Sequence, residues 1–109
     1  MTEVAVIGGG LMGAGIAQVF ACAGHRVRIF EPNSEVRASI LSRVSANLAS
    51  VGAPDAARSL MNPMSDLGAC VSCAEFIVEA APEKLELKRS IFADLVRLAP
   101  PEAILASNT

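Results

Sequence analysis

Apolar residues along the chain fall into two patterns: short continuous runs, and stripes that recur every three or four positions. Val4 to Ile7 is a continuous β-branched run, the pattern of a strand covered on both faces. From Leu11 the spacing becomes helical, with Met12, Ile16, Val19 and Phe20 in one stripe and Gly24 placed to end the helix in a left-handed cap. Arg26 to Phe30 reads as a second strand. Pro32-Asn33-Ser34 then offers a turn and an N-cap for the longest helix, whose Val36, Ile40, Leu41, Val44, Leu48 and Val51 form a stripe running to Gly52. Residues 53–66 are the least regular, interrupted by Pro54, Asn62 and Pro63. They hold a short helical piece at Asp55 to Leu60 and a brief strand at Met61 to Met64. Phe76 to Ala80 is again a strand. Pro82-Glu83 begins a helix marked by Leu87, Ile91, Leu95 and Leu98, Pro100-Pro101 ends it, and Ala103 to Ser107 is the last strand. Strands joined by helical crossovers predict an open, doubly wound α/β fold: a mainly parallel sheet with helices on both faces. Ligands of such folds sit beyond the carboxyl ends of the strands, so the informative positions follow Ile7, Phe30, Ala80 and Ser107.

Composition narrows the class. The 109 residues suffice for one domain, and 52% of them are hydrophobic, enough for a sizeable core. A net charge of −2, no basic patch and four phenylalanines as the sole aromatics of the Phe, Trp and Tyr class argue against nucleic-acid binding. Residues 4 to 24 are uncharged, a length that must be tested as a membrane span or signal peptide. Three consecutive glycines and an acidic residue, Glu3, in place of a basic leader oppose both, and Gly9-x-x-x-Gly13 is a poor helix-dimer motif in such a run. The expectation is a soluble, cytoplasmic protein. Cys22, Cys70 and Cys73 are odd in number and read as reduced, buried structural thiols. The Cys70-x-x-Cys73 spacing has neither a visible helix N-terminus to activate it nor the further ligands a zinc site needs.

Two features carry chemistry. Gly8-Gly9-Gly10-Leu11-Met12-Gly13 is a GxGxxG between a strand and a helix, the Rossmann-type dinucleotide fingerprint. Gly8 permits the turn, Gly10 lets backbone approach a pyrophosphate, and Gly13 lets the helix lie close on the strand. The helix N-terminus presents N–H groups and partial positive charge to phosphate. Glu31 ends the second strand where an acid holds the adenosine ribose, which favours NAD over NADP, although Arg26, Arg28 and Arg37 lie nearby in sequence. The same two features also describe S-adenosylmethionine-dependent methyltransferases and FAD domains, so later segments must decide.

VAVIGGGLMGAGIAQVFACAGHRV, FIVEAAPEKLELKRSIF and ILASNT together resemble the N-terminal cofactor domain of the L-3-hydroxyacyl-CoA dehydrogenase family, which includes 3-hydroxybutyryl-CoA dehydrogenases. The resemblance spans nearly the whole chain and is weak only across residues 52–66. It implies that Gly8, Gly10, Leu11, Met12 and Gly13 bind the pyrophosphate of NAD and that Glu31 binds the ribose. It further implies that Ala81, Glu83 and Lys88 line the nicotinamide end, with Asn108 in the cofactor site. Lys84 and Lys88 would share one helical face. Ser107-Asn108-Thr109 matches the start of a segment whose next residue is the family's substrate-binding Ser; its catalytic His, the paired Glu and a substrate-orienting Asn lie further on, with a helical domain that dimerises. The resemblance therefore implies a truncated cofactor domain, residues 1–109, without activity alone. The parent would be a homodimer that oxidises L-3-hydroxyacyl-CoA to 3-ketoacyl-CoA. His25 matches a non-catalytic position. On the long helix, which in the family helps bind coenzyme A, Asn47 stands near a position where relatives contact the nucleotide through Ser, and the lysine-rich ends seen in some relatives are missing. Carnitine and gulonate dehydrogenases, or a free-standing NAD(H)-sensing module, are the alternative readings.

Overall fold

Residues 2–82 and 84–107 are described by the structure, a computed structural model; the expected site residues Glu83 and Asn108 lie outside the described residues. Five strands, β1 (Glu3–Ile7), β2 (Arg26–Phe30), β3 (Met61–Met64), β4 (Phe76–Glu79) and β5 (Ile104–Ser107), form one sheet in the order β3-β2-β1-β4-β5. Every pairing is parallel. Four α-helices, α1 (Leu11–Cys22), α2 (Ser34–Ser50), α3 (Leu67–Val71) and α4 (Leu85–Leu98), and a 3₁₀ turn at Asp55–Leu60 connect the strands. The register places Met64, Phe30, Ile7, Glu79 and Ser107 in one row across the carboxyl edge, so the loops that follow open onto a shared surface.

The alternation of β1 divides the core. Val4 and Val6 face α1, α2 and the 3₁₀ turn, packing with Ala17, Val27, Ile29, Ile40, Val44 and Leu48. Ala5 and Ile7 face the opposite layer, with Cys70, Val71, Ile77, Ile91 and Leu95. Burial on both faces is why the strand reads as a continuous apolar run.

The strands, the long helix and the 3₁₀ turn form where the sequence places them, and Gly24 and Gly52 take positive φ at helix ends. Several details differ. In α1 the buried residues are Gly13, Ala14, Ala17 and Ala21, while Met12 and Val19 of the expected stripe are 60% and 70% exposed. The helix lies too close to β1 for large side chains to fit between them. Helix α4 starts at Leu85, two residues later than expected, because a tight turn closes first, with Lys84 N–H donating to Pro82 O at 2.7 Å. Helix α3 has no counterpart in the apolar pattern; Asp66 caps it. The thiols also divide: Cys70 is buried, but Cys22 and Cys73 are exposed, which corrects the expectation that all three are buried. Burial pushes the Cys70 thiol up to about 12, with Arg28 opposing and Asp66 adding to the shift.

Candidate functional site

The site is built outward from Gly8, where β1 stops. Its N–H still pairs with Phe30 O at 2.8 Å, holding the loop to β2. Its φ of +113° turns the chain, and a Cβ there would stand 2.8 Å from Ala80 O. A Cβ on Gly13 would overlap the Gly8 carbonyl oxygen, so the first turn of α1 rests directly on the loop. A Cβ on Gly9 would stand 2.6 Å from Ile40 Cδ1 and 3.1 Å from Glu31 Cβ, so those side chains would have to shift to admit it. Gly10 differs from these three. A Cβ there meets nothing within 4 Å, so its position borders open space.

Helix α2 is capped by Asn33 Oδ1, which accepts from Glu35 and Val36 N–H at 3.0 Å each, and α3 by Asp66. No side chain caps α1, whose N-cap is Gly10 and whose first turn holds no acid. Its first N–H groups have no intrahelical partner and carry the positive end of the helix dipole. Beside it, Glu31 Oε1 accepts from Gly9 N–H at 2.8 Å and Oε2 from Asn33 N–H at 3.0 Å. A carboxylate has about four acceptor positions, so two remain for outside donors. The surrounding backbone is pinned by two arginines of α2: Arg37 donates to Glu31 O at 2.8 Å, and Arg43 to Gly9 O at 2.6 Å.

Two concavities meet at this loop. One, about 560 Å³, runs between Gly10, Leu11 and Met12 on one side and Glu31, Asn33 and Ala81 on the other. The second, about 530 Å³, lies toward α4 and is lined by Phe30, Leu87 and Ile91; the two share Gly8, Glu31, Ala81 and Pro82. The combined cleft crosses the carboxyl edge of the sheet. An open glycine, an uncapped helix N-terminus and a carboxylate with spare acceptors fit a dinucleotide's pyrophosphate and ribose diol.

Of the expected site residues, Gly8, Gly10, Leu11, Met12, Glu31 and Ala81 line this cleft, and Gly13 supports its floor. Lys88 stands at the start of α4, its Nζ 3.5 Å from Glu79 Oε1. Of the arginines near Glu31 in sequence, Arg37 alone contacts it. Arg26 pairs with Glu3 at the other end of the strands, and Arg28 stands beside Cys70 in the α3 layer. His25 is also at that amino edge, its Nδ1 accepting from Thr2 N–H at 3.1 Å.

Sequence reasoning passed over Glu79. It is fully buried, accepts from Ala81 N–H at 2.7 Å and Ser107 Oγ at 2.8 Å, and faces Lys88. The available signal was an acid closing an otherwise apolar strand, Phe76-Ile77-Val78-Glu79. Arg43 was missed too, for only the fold brings it back over Gly9.

Comparison with known proteins agrees with this geometry. The sequence matches, over residues 3–109, the family described as 3-hydroxyacyl-CoA dehydrogenase, NAD binding domain. It is 36% identical, across 97% of its length, to a 3-hydroxyadipyl-CoA dehydrogenase of Escherichia coli strain K12, of which it covers 24%. It is 37% identical, across 98% of its length, to an L-carnitine dehydrogenase/betainyl-CoA thioesterase of Agrobacterium fabrum, covering 23% of that protein. The crystal structure of a 3-hydroxybutyryl-CoA dehydrogenase from Escherichia coli K12 superposes with a TM-score of 0.89 at 37% identity, over 99% of this chain and 24% of that one. The chain thus spans about a quarter of the length of these relatives.

Proposed function

Because the chain belongs to the 3-hydroxyacyl-CoA dehydrogenase family as its NAD-binding domain, we propose that it binds and orients NAD for oxidation of an L-3-hydroxyacyl-CoA to the 3-ketoacyl-CoA. NAD, when bound, supplies the acceptor for the hydride leaving C3. The chain's own residues bind and orient. The N–H groups opening α1, with Gly8, Gly10, Leu11, Met12 and Gly13, take the pyrophosphate. Glu31 takes the adenosine ribose through its two spare acceptor positions. Ala81, Glu83, Lys88 and Asn108 form the nicotinamide end. The acyl-CoA, a homodimeric parent enzyme and a cytoplasmic location belong to the same reading, and exposed Cys22 and Cys73 suit a reducing compartment.

The observation that carries the reading is the meeting of the uncapped α1 N-terminus and the Glu31 carboxylate, which stand on adjacent loops joined by the Gly9 N–H bond to Glu31 Oε1. A 2′-phosphate would bring like charge against Glu31, so the chain should bind NAD at least about tenfold more tightly than NADP. Glu31→Ser removes that charge while Arg37 stays close, and should close or reverse the gap. Calorimetric titration of both proteins with both nucleotides checks this; equal affinities in the unaltered chain contradict the role of Glu31. Similarity to an L-carnitine dehydrogenase supports a second substrate class for the parent enzyme, the 3-hydroxyl of carnitine in place of that of an acyl thioester. Turnover of the two substrates by the parent enzyme separates these readings.

A further inference from the structure

Among the described residues, Glu79 is the one charged side chain with no solvent exposure. A carboxylate removed from water is costly unless its charge and lone pairs are met. Three donors from three segments meet this one. From the turn after β4, Ala81 N–H reaches Oε2 at 2.7 Å; from the end of β5, Ser107 Oγ reaches Oε1 at 2.8 Å. From the first turn of α4, Lys88 Nζ approaches the same Oε1 at 3.5 Å, and that lysine side chain is itself only 12% exposed. Packing does not require an acid here, because an apolar residue of similar volume often fills such a position without loss of stability. What an apolar residue cannot do is dictate where a cation and an N–H group stand.

We propose that Glu79 is a positioning residue of the cofactor site. Its buried carboxylate holds the Lys88 ammonium and the Ala81 amide in place on folding, so that the nicotinamide half of the dinucleotide meets a cation already fixed. Rotamer freedom that a mobile lysine would lose on binding has then been lost beforehand, which strengthens binding. The proposal rests on the assignment of the Ala81–Lys88 segment to the nicotinamide end. Its effect falls chiefly on that half, where Lys88 stands: the adenosine and pyrophosphate groups contact Glu31 and the α1 N-terminus, which Glu79 does not touch.

Glu79→Gln keeps the size of the side chain, removes its charge and turns amide hydrogens toward at least one of the three donors. Calorimetry with NADH and with ADP, which lacks the nicotinamide half, separates the possibilities. The variant should bind NADH about tenfold more weakly, the loss of one charge-assisted contact, and ADP within about twofold of the unaltered chain. Equal weakening of both ligands, or none, overturns the proposal. Failure of the unaltered chain to bind either ligand overturns the cofactor-domain reading instead, and this proposal with it. A second measurement needs no substitution and so decides the matter even if the variant does not fold. The chain has two lysines, Lys84 and Lys88, and Lys84 is exposed. In nitrogen-15 NMR near neutral pH, Lys88 should show a slowly exchanging ammonium signal while that of Lys84 is lost to exchange with water; equal exchange at the two overturns the proposal.

Discussion

At Gly13 an added Cβ would overlap the Gly8 carbonyl oxygen, whereas at Gly15, one half-turn along the same helix, it would meet nothing within 4 Å. The two glycines therefore differ in what an alanine would do. Gly13→Ala must push α1 off the loop, and should destabilise the fold by about 2 kcal/mol while weakening NAD binding. Gly15→Ala relieves the backbone entropy of a mid-helix glycine and should stabilise by about 0.5–1 kcal/mol. Urea unfolding of both variants checks the opposite signs. The turn at Gly8 and the close packing at Gly13 were legible from the motif set between a strand and a helix. The crowding at Gly9 was not, because its neighbours Ile40 and Glu31 come from another helix and another loop. Cys70 makes a second residue-scale prediction. Its native thiol is held up to about 12 from an ordinary 9.0, chiefly by burial. Above pH 9 the unfolded chain gives up this proton while the native state keeps it. Stability that is fully present below pH 9 is thus lost, by about 1.4 kcal/mol per pH unit, as pH rises toward 12. Cys70→Ala should flatten that alkaline slope in pH-dependent unfolding. At pH 8 iodoacetamide should modify Cys22 and Cys73 in the native protein and spare Cys70.

Helix α2 shows how far an element can be read from its ends. Asn33 was legible as part of a cap, and the structure gives it two N–H partners, Glu35 and Val36. Asn33→Ala should cost about 1 kcal/mol of stability, measured by thermal or urea unfolding. Because Glu31 also accepts from Asn33 N–H, a backbone group the substitution retains, NAD affinity should change little. Helix α1 was legible as a helix but not in its orientation. Its larger apolar residues share a stripe, yet the buried face is the one made of Gly13, Ala14, Ala17 and Ala21. Periodicity ranks faces by hydrophobicity, while close approach to β1 selects them by size. Helix α3 was illegible because five residues give no period to detect; what marks it is the Asp66 cap.

Across the whole molecule, the binding cleft and the sole histidine lie at opposite ends of the sheet. His25 precedes β2 at the amino edge, and the cleft opens roughly 15 Å away at the carboxyl edge, the length of a five-residue strand. The 109-residue chain therefore brings no imidazole to the cleft to take a hydroxyl proton. It should bind NAD yet form no NADH from 3-hydroxybutyryl-CoA, a result that absorbance at the NADH band checks directly.

The sequence by itself determined the five strands, the helices other than α3, the parallel class of the sheet, the glycine loop and the acid that follows β2. Each of these is local: a run, a spacing, or a motif fixed by the conformations its own residues permit. Tertiary structure alone decided which face of α1 is buried, that Ile40 and Glu31 crowd Gly9, and that Glu79 gathers donors from residues 81, 88 and 107. Those outcomes depend on segments far apart in the chain. What glycine-rich spacing announces as a place for phosphate becomes a site only when α2, β4, β5 and α4 converge on the same edge of the sheet.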